Sequence, residues 1–575
     1  MRKASATCDK VFAANPESGG CLTMYSLYGA EAENFKGALQ KNIGFFRGPI
    51  FRETHMSKNR AILRFALTGL VAALLAGPAP SWSQAPAPEE GAKANALPAE
   101  LLRAAKRWNV DLKDVTIAVL PVDDVRRTEK DSNVARIRPA LLHRADVSVA
   151  PASSAKVVTT LVALETLGSH YRWYTGFYAD EKAEPDAKGV LRSPLYIKGG
   201  GDPNFVLEAF DLELTRLREK GIRRIEGDIV VDRSFFDVPE TNRNAFDGRG
   251  SRPYNLPPDA ALVNYRNLSF EMTPDPEKGV AQIVMLPRLA GVTAPKTIAL
   301  RKKGGCGDWK SALGYKLERR KDGTVRVRFT GALPAACGAK NFNVIGFEAN
   351  EYLERLFRGL WTQKGGAWTG RVREGAVPEN ARRLLTHVSP DAGEVVRLVN
   401  KWSNNPMARH LFLTLGYAAV EKEALDQKIE VEDGKHHRGV RLDDARGVVS
   451  AWLRDRGIDA RGFYMENGSG LSRETRVTAR LMAEVLAAGA QGPYAPEFMA
   501  SLPITGEDGT MARRKVAVSW GRMKTGLLRD VRSIAGYVHA KSGKRYALYA
   551  GVNGKESLPG AQAFLDNVIL WTYEH

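Results

Sequence analysis

Cysteine is scarce in this chain: four residues in 575, at positions 8, 21, 306 and 337. No C-x-x-C pair occurs and no histidine stands at ligand spacing from a cysteine, so a four-ligand zinc site is excluded. Long apolar runs are also missing. The longest, Phe65 to Ala76, falls short of the roughly 20 residues a membrane-spanning helix needs. There is no repeat of solenoid length, and no motif that reads DNA or RNA. Acid is in deficit, with 65 Asp and Glu against 84 Lys and Arg, a formal charge of +19. The basic residues are spread over the whole length, which describes a solvated basic surface rather than a nucleic-acid site. The chain's contact with a membrane is at most peripheral.

What is present begins with an address. Met56 is followed by Lys58, Arg60 and Arg64, the short apolar run, Pro78 and Pro80, and then Ser83-Gln84-Ala85. A charged stretch, a short apolar core and a small-x-small site make a secretory signal peptide over 56–85. Residues 1–55 are then read as an over-extended gene start, and the exported chain is expected to begin near Pro86. Cys306 and Cys337 would travel with it into an oxidising, periplasmic compartment, where a disulfide between them persists.

Past residue 97 the apolar pattern organises the chain. Leu97 to Arg107 reads as a helix and Val115 to Val122 as a strand. After Ser153 the run Val157, Val158, Leu161, Val162, Leu164 and Leu167 is apolar on nearly every face, as a helix at a domain centre would be. From Tyr171 to Thr386 short β-rich runs alternate with Gly, Pro and Asn turns. Gly199-Gly200-Gly201-Asp202-Pro203 lacks the Gly-Lys-Ser/Thr ending of a phosphate loop and reads as a tight turn with no clear helix after it. Helical patterns return at 390–402, 407–415, 442–456 and 478–486. Strands Val516 to Lys524, Arg532 to His539 and Arg545 to Val552 and a last helix, Gly560 to Tyr573, close the chain. The expected division is a first catalytic part over 86–170, inserted β-rich material over 171–386, and a second catalytic part over 387–575. The fold class is α/β.

Three short motifs carry the chemistry. Ser153-Ser154-Ala155-Lys156 opens a predicted helix, Ser403-Asn404-Asn405 precedes a second, and Lys524-Thr525-Gly526 ends a predicted strand. Ser153 and Lys156, three apart, share a helix face. A serine hydroxyl is a weak nucleophile until a base takes its proton. A lysine becomes that base when burial or a second cation lowers its pKa, and Lys524 is the candidate cation. The alternative for Ser153 is an ordinary helix cap, and Asn404 or Asn405 could likewise cap the helix that Pro406 begins. An inward lysine at position 524 asks for an anion, which a substrate carboxylate would supply, with the Thr525 hydroxyl beside it. Gly526 would let a peptide backbone approach.

As an ordered S-x-x-K, S-x-N and K-T-G set, these motifs resemble those of penicillin-binding proteins and serine β-lactamases. The match extends to Gly199–Pro203, Gly227-Asp228-Ile229, Asn467-Gly468-Ser469-Gly470-Leu471-Ser472, Ser501-Leu502-Pro503 and Asp508-Gly509-Thr510, and 250 residues separate the first two motifs. The chain thereby resembles the class C low-molecular-mass penicillin-binding proteins, the D-alanyl-D-alanine carboxypeptidase/endopeptidase family. That resemblance implies an antiparallel sheet flanked by helices, interrupted by inserted domains, and no cofactor. It implies cleavage of terminal D-Ala from peptidoglycan stem peptides, and covalent capture of β-lactams. Ser403 would relay a proton and Asn405 would hold the substrate amide and Lys156. The backbone N–H groups of Ser153 and Leu527 would form the oxyanion hole. In some members an acidic residue of the insertion reads the stem's diamino acid, and Asp247 lies in that region. Asn404 and Asn467 stand where the family often has Asp. A β-lactamase or esterase on the same fold, or a silent cell-wall binding protein, are the alternatives. Oligomeric state is left open.

Overall fold

Alternation along one strand explains the centre of the molecule. In Val115–Pro121, every residue is buried, yet Ile117 and Val119 join one apolar cluster while Ala118 and Leu120 join another. Successive side chains of a strand point to opposite faces, so a strand buried throughout must have both faces covered. The computed structural model describes residues 97–122, 138–427 and 438–575. The leader, the expected signal peptide and residues 428–437, which include the neighbouring pair His436 and His437, lie outside the described residues.

Five strands form the central sheet in the order Gly521–Leu528, Val531–His539, Arg545–Asn553, Val115–Pro121, Leu141–His143, each pair antiparallel. Helices Ala99–Arg107 and Leu558–Glu574 cover one face. The other face carries Lys156–Leu167, Ala392–Trp402, Asn405–Asp426, Leu442–Asp455 and Ala479–Gln491. Lys156–Leu167 has its first nine residues buried, as the all-round apolar pattern predicts. The first strand of the closing hairpin begins at Gly521 rather than Val516. Ala517 and Ser519 take positive φ, +38° and +71°, which ends extended backbone there.

The β-rich stretch builds its own core. One cluster of buried side chains draws only on residues from Phe177 to Leu385. One five-stranded sheet runs Val372–Glu374, Ile229–Asp232, Leu195–Lys198, Tyr174–Ala179, Arg382–Val388, and a second spans strands between Asn267 and Ile345. Two helices stand among them, which the turn-rich texture masks. Leu207–Glu219 buries Phe210, Leu214 and Leu217, and Ala349–Gln363 buries Leu353, Leu356, Leu360 and Trp361. The first of these follows the glycine turn at 199–203, where no helix is expected from sequence. Its buried Glu213 and the turn's Asp202 flank His387 at 3.1 and 3.3 Å. Burial pushes His387 down, but hydrogen bonds to the two carboxylates outweigh it and hold its pKa above the ordinary value. Cys306 and Cys337 are joined in a disulfide, with Cα atoms 4.6 Å apart. Among the described residues no helix is long and apolar enough to cross a membrane.

Candidate active site

Ser153 stands in a single 3-10 turn, Ala152–Ala155, that runs directly into the buried helix Lys156–Leu167. The turn is held tightly. Ala152 has φ +51°, a left-handed conformation that a residue with a Cβ adopts only when its surroundings impose it. Ser154 Oγ and Ser533 Oγ both donate to the Pro151 carbonyl, at 2.7 and 2.6 Å. Gly470 packs against the Ala152 carbonyl so closely that a Cβ there would lie 1.9 Å from the oxygen.

Lys156 is fully buried. Its Nζ lies 3.1 Å from Ser153 Oγ and donates to Asn405 Oδ1 at 2.6 Å and to the Ser469 carbonyl at 2.5 Å. A neutral amine has two N–H bonds and one lone pair. With two strong acceptors taking the hydrogens, the lone pair is left for the third neighbour, the Ser153 hydroxyl. Burial first, then the charges of Lys524 and Arg409, hold the Lys156 pKa well below its ordinary value. The sequence names Lys524 as the second cation; Arg409, which anchors to the Leu256 carbonyl, is an addition from the structure.

Ser403 ends the helix Ala392–Trp402 with φ +58°, and the next helix begins two residues later at Asn405. Asn404 caps that helix by accepting from the Met407 N–H at 3.1 Å, which leaves the Asn405 side chain to Lys156. Lys524 Nζ donates to Ser403 Oγ and to the Thr525 carbonyl, both at 2.8 Å. Lys524 is fully buried, and burial pushes it down to about 7. Thr525 Oγ1 donates to Thr510 Oγ1 at 2.9 Å. Gly526 is required by the fold: a Cβ would lie 2.1 Å from Ser533 Oγ and 2.6 Å from the Pro151 carbonyl. The glycine therefore lets the edge strand close on the turn that carries Ser153.

Ser153, Ser403, Asn405, Thr525, Gly526 and Leu527 line one cleft of about 1100 Å³. The Leu527 side chain is 63% exposed at its rim. Cys306 and Cys337 are not part of it. The β-rich stretch lines it as well, with Phe246, Asp247, Arg249 and Tyr254. Asp247 accepts from Tyr254 OH at 2.7 Å and Asn255 Nδ2 at 2.8 Å. The residue that sequence reasoning passed over is Ser469. The Asn467–Ser472 run is legible in sequence, but the contact is made by the Ser469 backbone carbonyl, and any residue possesses one. Asn467 shapes that run by accepting from Ser469 N and Oγ and donating to the Leu471 carbonyl.

Residues 132–569 match the D-Ala-D-Ala carboxypeptidase 3 (S13) family. The chain belongs to that family. This D-Ala-D-Ala carboxypeptidase is similar to the D-alanyl-D-alanine carboxypeptidase of Actinomadura sp. strain R39, with 27% identity over 74% of this chain and 77% of that protein. Its fold is that of penicillin-binding protein 4 (dacB) from Haemophilus influenzae, at TM-score 0.61 and 20% identity, covering 83% of this chain and 99% of the other. The same protein complexed with a novel β-lactam matches at TM-score 0.59 and 19% identity, over 83% of this chain and all of the other.

Proposed function

We propose that this family member releases the terminal D-Ala of peptidoglycan stem peptides through an acyl-enzyme on Ser153, and that β-lactams acylate the same oxygen. The observation that carries the mechanism is the buried Lys156, with two acceptors fixing its hydrogens and Ser153 Oγ at 3.1 Å. Ser153 Oγ attacks the penultimate D-Ala carbonyl as its proton passes to Lys156. The backbone N–H groups of Ser153 and Leu527 hold the oxyanion. Ser403 already accepts from Lys524, so its own O–H is left to donate to the leaving amine. Lys524 and Thr525 hold the terminal carboxylate, and Asn405 steadies both Lys156 and the substrate amide. Water then releases the shortened peptide and restores Ser153.

The expected signal peptide over 56–85 would deliver the protein to the periplasm, where the polymer lies and where the disulfide persists. The separate buried cluster from Phe177 to Leu385 supports a catalytic domain interrupted over 171–386. Mass spectrometry of the mature protein through a penicillin time course tests the reading. A lasting adduct on the peptide containing Ser153 is expected. Rapid loss of the adduct identifies a β-lactamase, and no adduct a silent binding protein.

A further inference from the structure

Ser403 and Thr525 reach the catalytic cleft on separate elements, the end of a helix and an edge strand. The segment from Ser501 to Thr510 ties those elements together. It joins the edge strand through backbone: the Met523 N–H donates to the Pro503 carbonyl at 2.7 Å, and the Thr505 N–H to the Gly521 carbonyl at 3.0 Å. It joins the helix through Lys401, two residues before Ser403. The Lys401 side chain is 8% exposed, and its Nζ donates to the Leu502 carbonyl at 2.7 Å and to Asp508 Oδ2 at 2.6 Å. The other Asp508 oxygen accepts from the Ile504 N–H at 2.7 Å. Beside it Gly509 presses on the helix end, where a Cβ would lie 2.6 Å from the Lys401 carbonyl. Thr510, the next residue, lines the cleft and accepts from Thr525. Neither Lys401 nor Asp508 lines the cleft.

A buried ammonium group is costly unless an anion meets it. Burial pushes the Lys401 pKa below its ordinary value, Arg397 and Arg522 add to that, and Asp508 opposes it. The pair thus holds the helix end and the strand at one spacing. That spacing separates the hydroxyl that meets the leaving amine from the groups that hold the terminal carboxylate. We propose that Lys401, acting through Asp508, is a positioning residue that sets Ser403 to protonate the leaving amine. The inference rests on the acyl-enzyme reading above. In that step the bond from Ser153 Oγ to the carbonyl carbon forms and the C–N bond breaks. The proton taken by Lys156 reaches the departing nitrogen by way of Ser403.

The test compares kcat/KM for a peptide ending in D-Ala-D-Ala with kcat/KM for its thioester analogue, in which sulfur replaces the leaving nitrogen. Both substrates keep the terminal carboxylate. A thiol ionises at about pH 8.5 and leaves as the thiolate, whereas the amine leaves only with a proton. Lys401→Met should lower kcat/KM for the peptide by about a hundredfold, the weight of general-acid help, and for the thioester by less than about tenfold. Lys401→Arg, whose guanidinium can meet both acceptors, should recover most of the loss. Asp508→Asn, at a side chain 39% exposed, should show the same selectivity with a loss of about tenfold on the peptide. It decides the question if Lys401→Met does not fold. Equal losses on the two substrates, or no loss in the variants that fold, overturn the proposal. Failure of the carboxypeptidase reading has a separate sign: hydrolysis of neither substrate by the wild-type protein.

Discussion

At the scale of single residues, the proposed mechanism asks opposite work of two buried lysines. Lys156 must be neutral to take the Ser153 proton, and burial with two cationic neighbours favours that form. Lys524 must be charged to hold a carboxylate, yet burial brings it down to about 7. The rate of penicillin acylation and kcat/KM for peptide should therefore be bell-shaped in pH. The rising limb follows loss of the Lys156 proton. The falling limb follows loss of the Lys524 proton, so carboxylate anchoring is present below about 7 and fades above it. Lys524→Arg should move the falling limb to higher pH, because a guanidinium does not titrate there. Ser153→Ala should abolish acylation, and Lys156→Arg should come close to that, because a guanidinium cannot serve as base. The pH profile of the second-order acylation rate in each variant checks this. A falling limb left in place by Lys524→Arg would falsify the assignment of Lys524 as the carboxylate anchor.

At the scale of elements, three strained or crowded segments meet around Ser153. Ala152 holds φ +51°, Gly526 closes on Pro151, and Gly470 closes on Ala152. The S-x-x-K pair was legible in sequence because both members sit on one short stretch, three residues apart. Ser469 and Gly470 were not, since they act through a carbonyl and through a missing Cβ. The strand carrying Lys524 is legible from its apolar run, which sets its start at Val516, five residues before the observed Gly521. Left-handed backbone at Ala517 and Ser519 leaves little trace in composition. The inserted helices carried a 3.6-residue apolar period that the surrounding turns obscured. Gly470→Ala is the sharpest test of how the elements hold the site. The new Cβ would lie 1.9 Å from the Ala152 carbonyl, at a position whose φ is +73°. The nucleophile turn must give way, and a misplacement near 1 Å costs about a hundredfold in rate. Acylation should fall by about that factor while the protein remains folded by circular dichroism. Wild-type acylation in this variant would show that Gly470 does not position Ser153.

At the scale of the whole molecule, the catalytic cleft is a joint product of segments far apart in the chain. Ser153 comes before the β-rich stretch, Ser403 and Thr525 after it, and Asp247, Arg249 and Tyr254 from within it. The three motifs are legible in sequence because their residue types are rare in that order. The lining from the β-rich stretch is not, since Phe246, Arg249 and Tyr254 reach the cleft only through long-range packing. The disulfide belongs to that inserted core, where Cys337 is buried with the apolar cluster and Cys306 packs against it. Closing a loop across a sequence separation of 31 restricts the unfolded chain and contributes about 3–4 kcal/mol in the chain-entropy model. Cys306→Ser with Cys337→Ser should therefore lower the denaturation midpoint of the inserted core by a comparable stability. Neither cysteine lines the catalytic cleft, so penicillin acylation by the folded variant should proceed at the wild-type rate. Urea titration monitored by tryptophan fluorescence, paired with acylation kinetics in native buffer, separates the two effects. An unchanged midpoint would show that the cross-link adds nothing to the fold. Acylation lost in native buffer would show that the cleft around Ser153 depends on the inserted core.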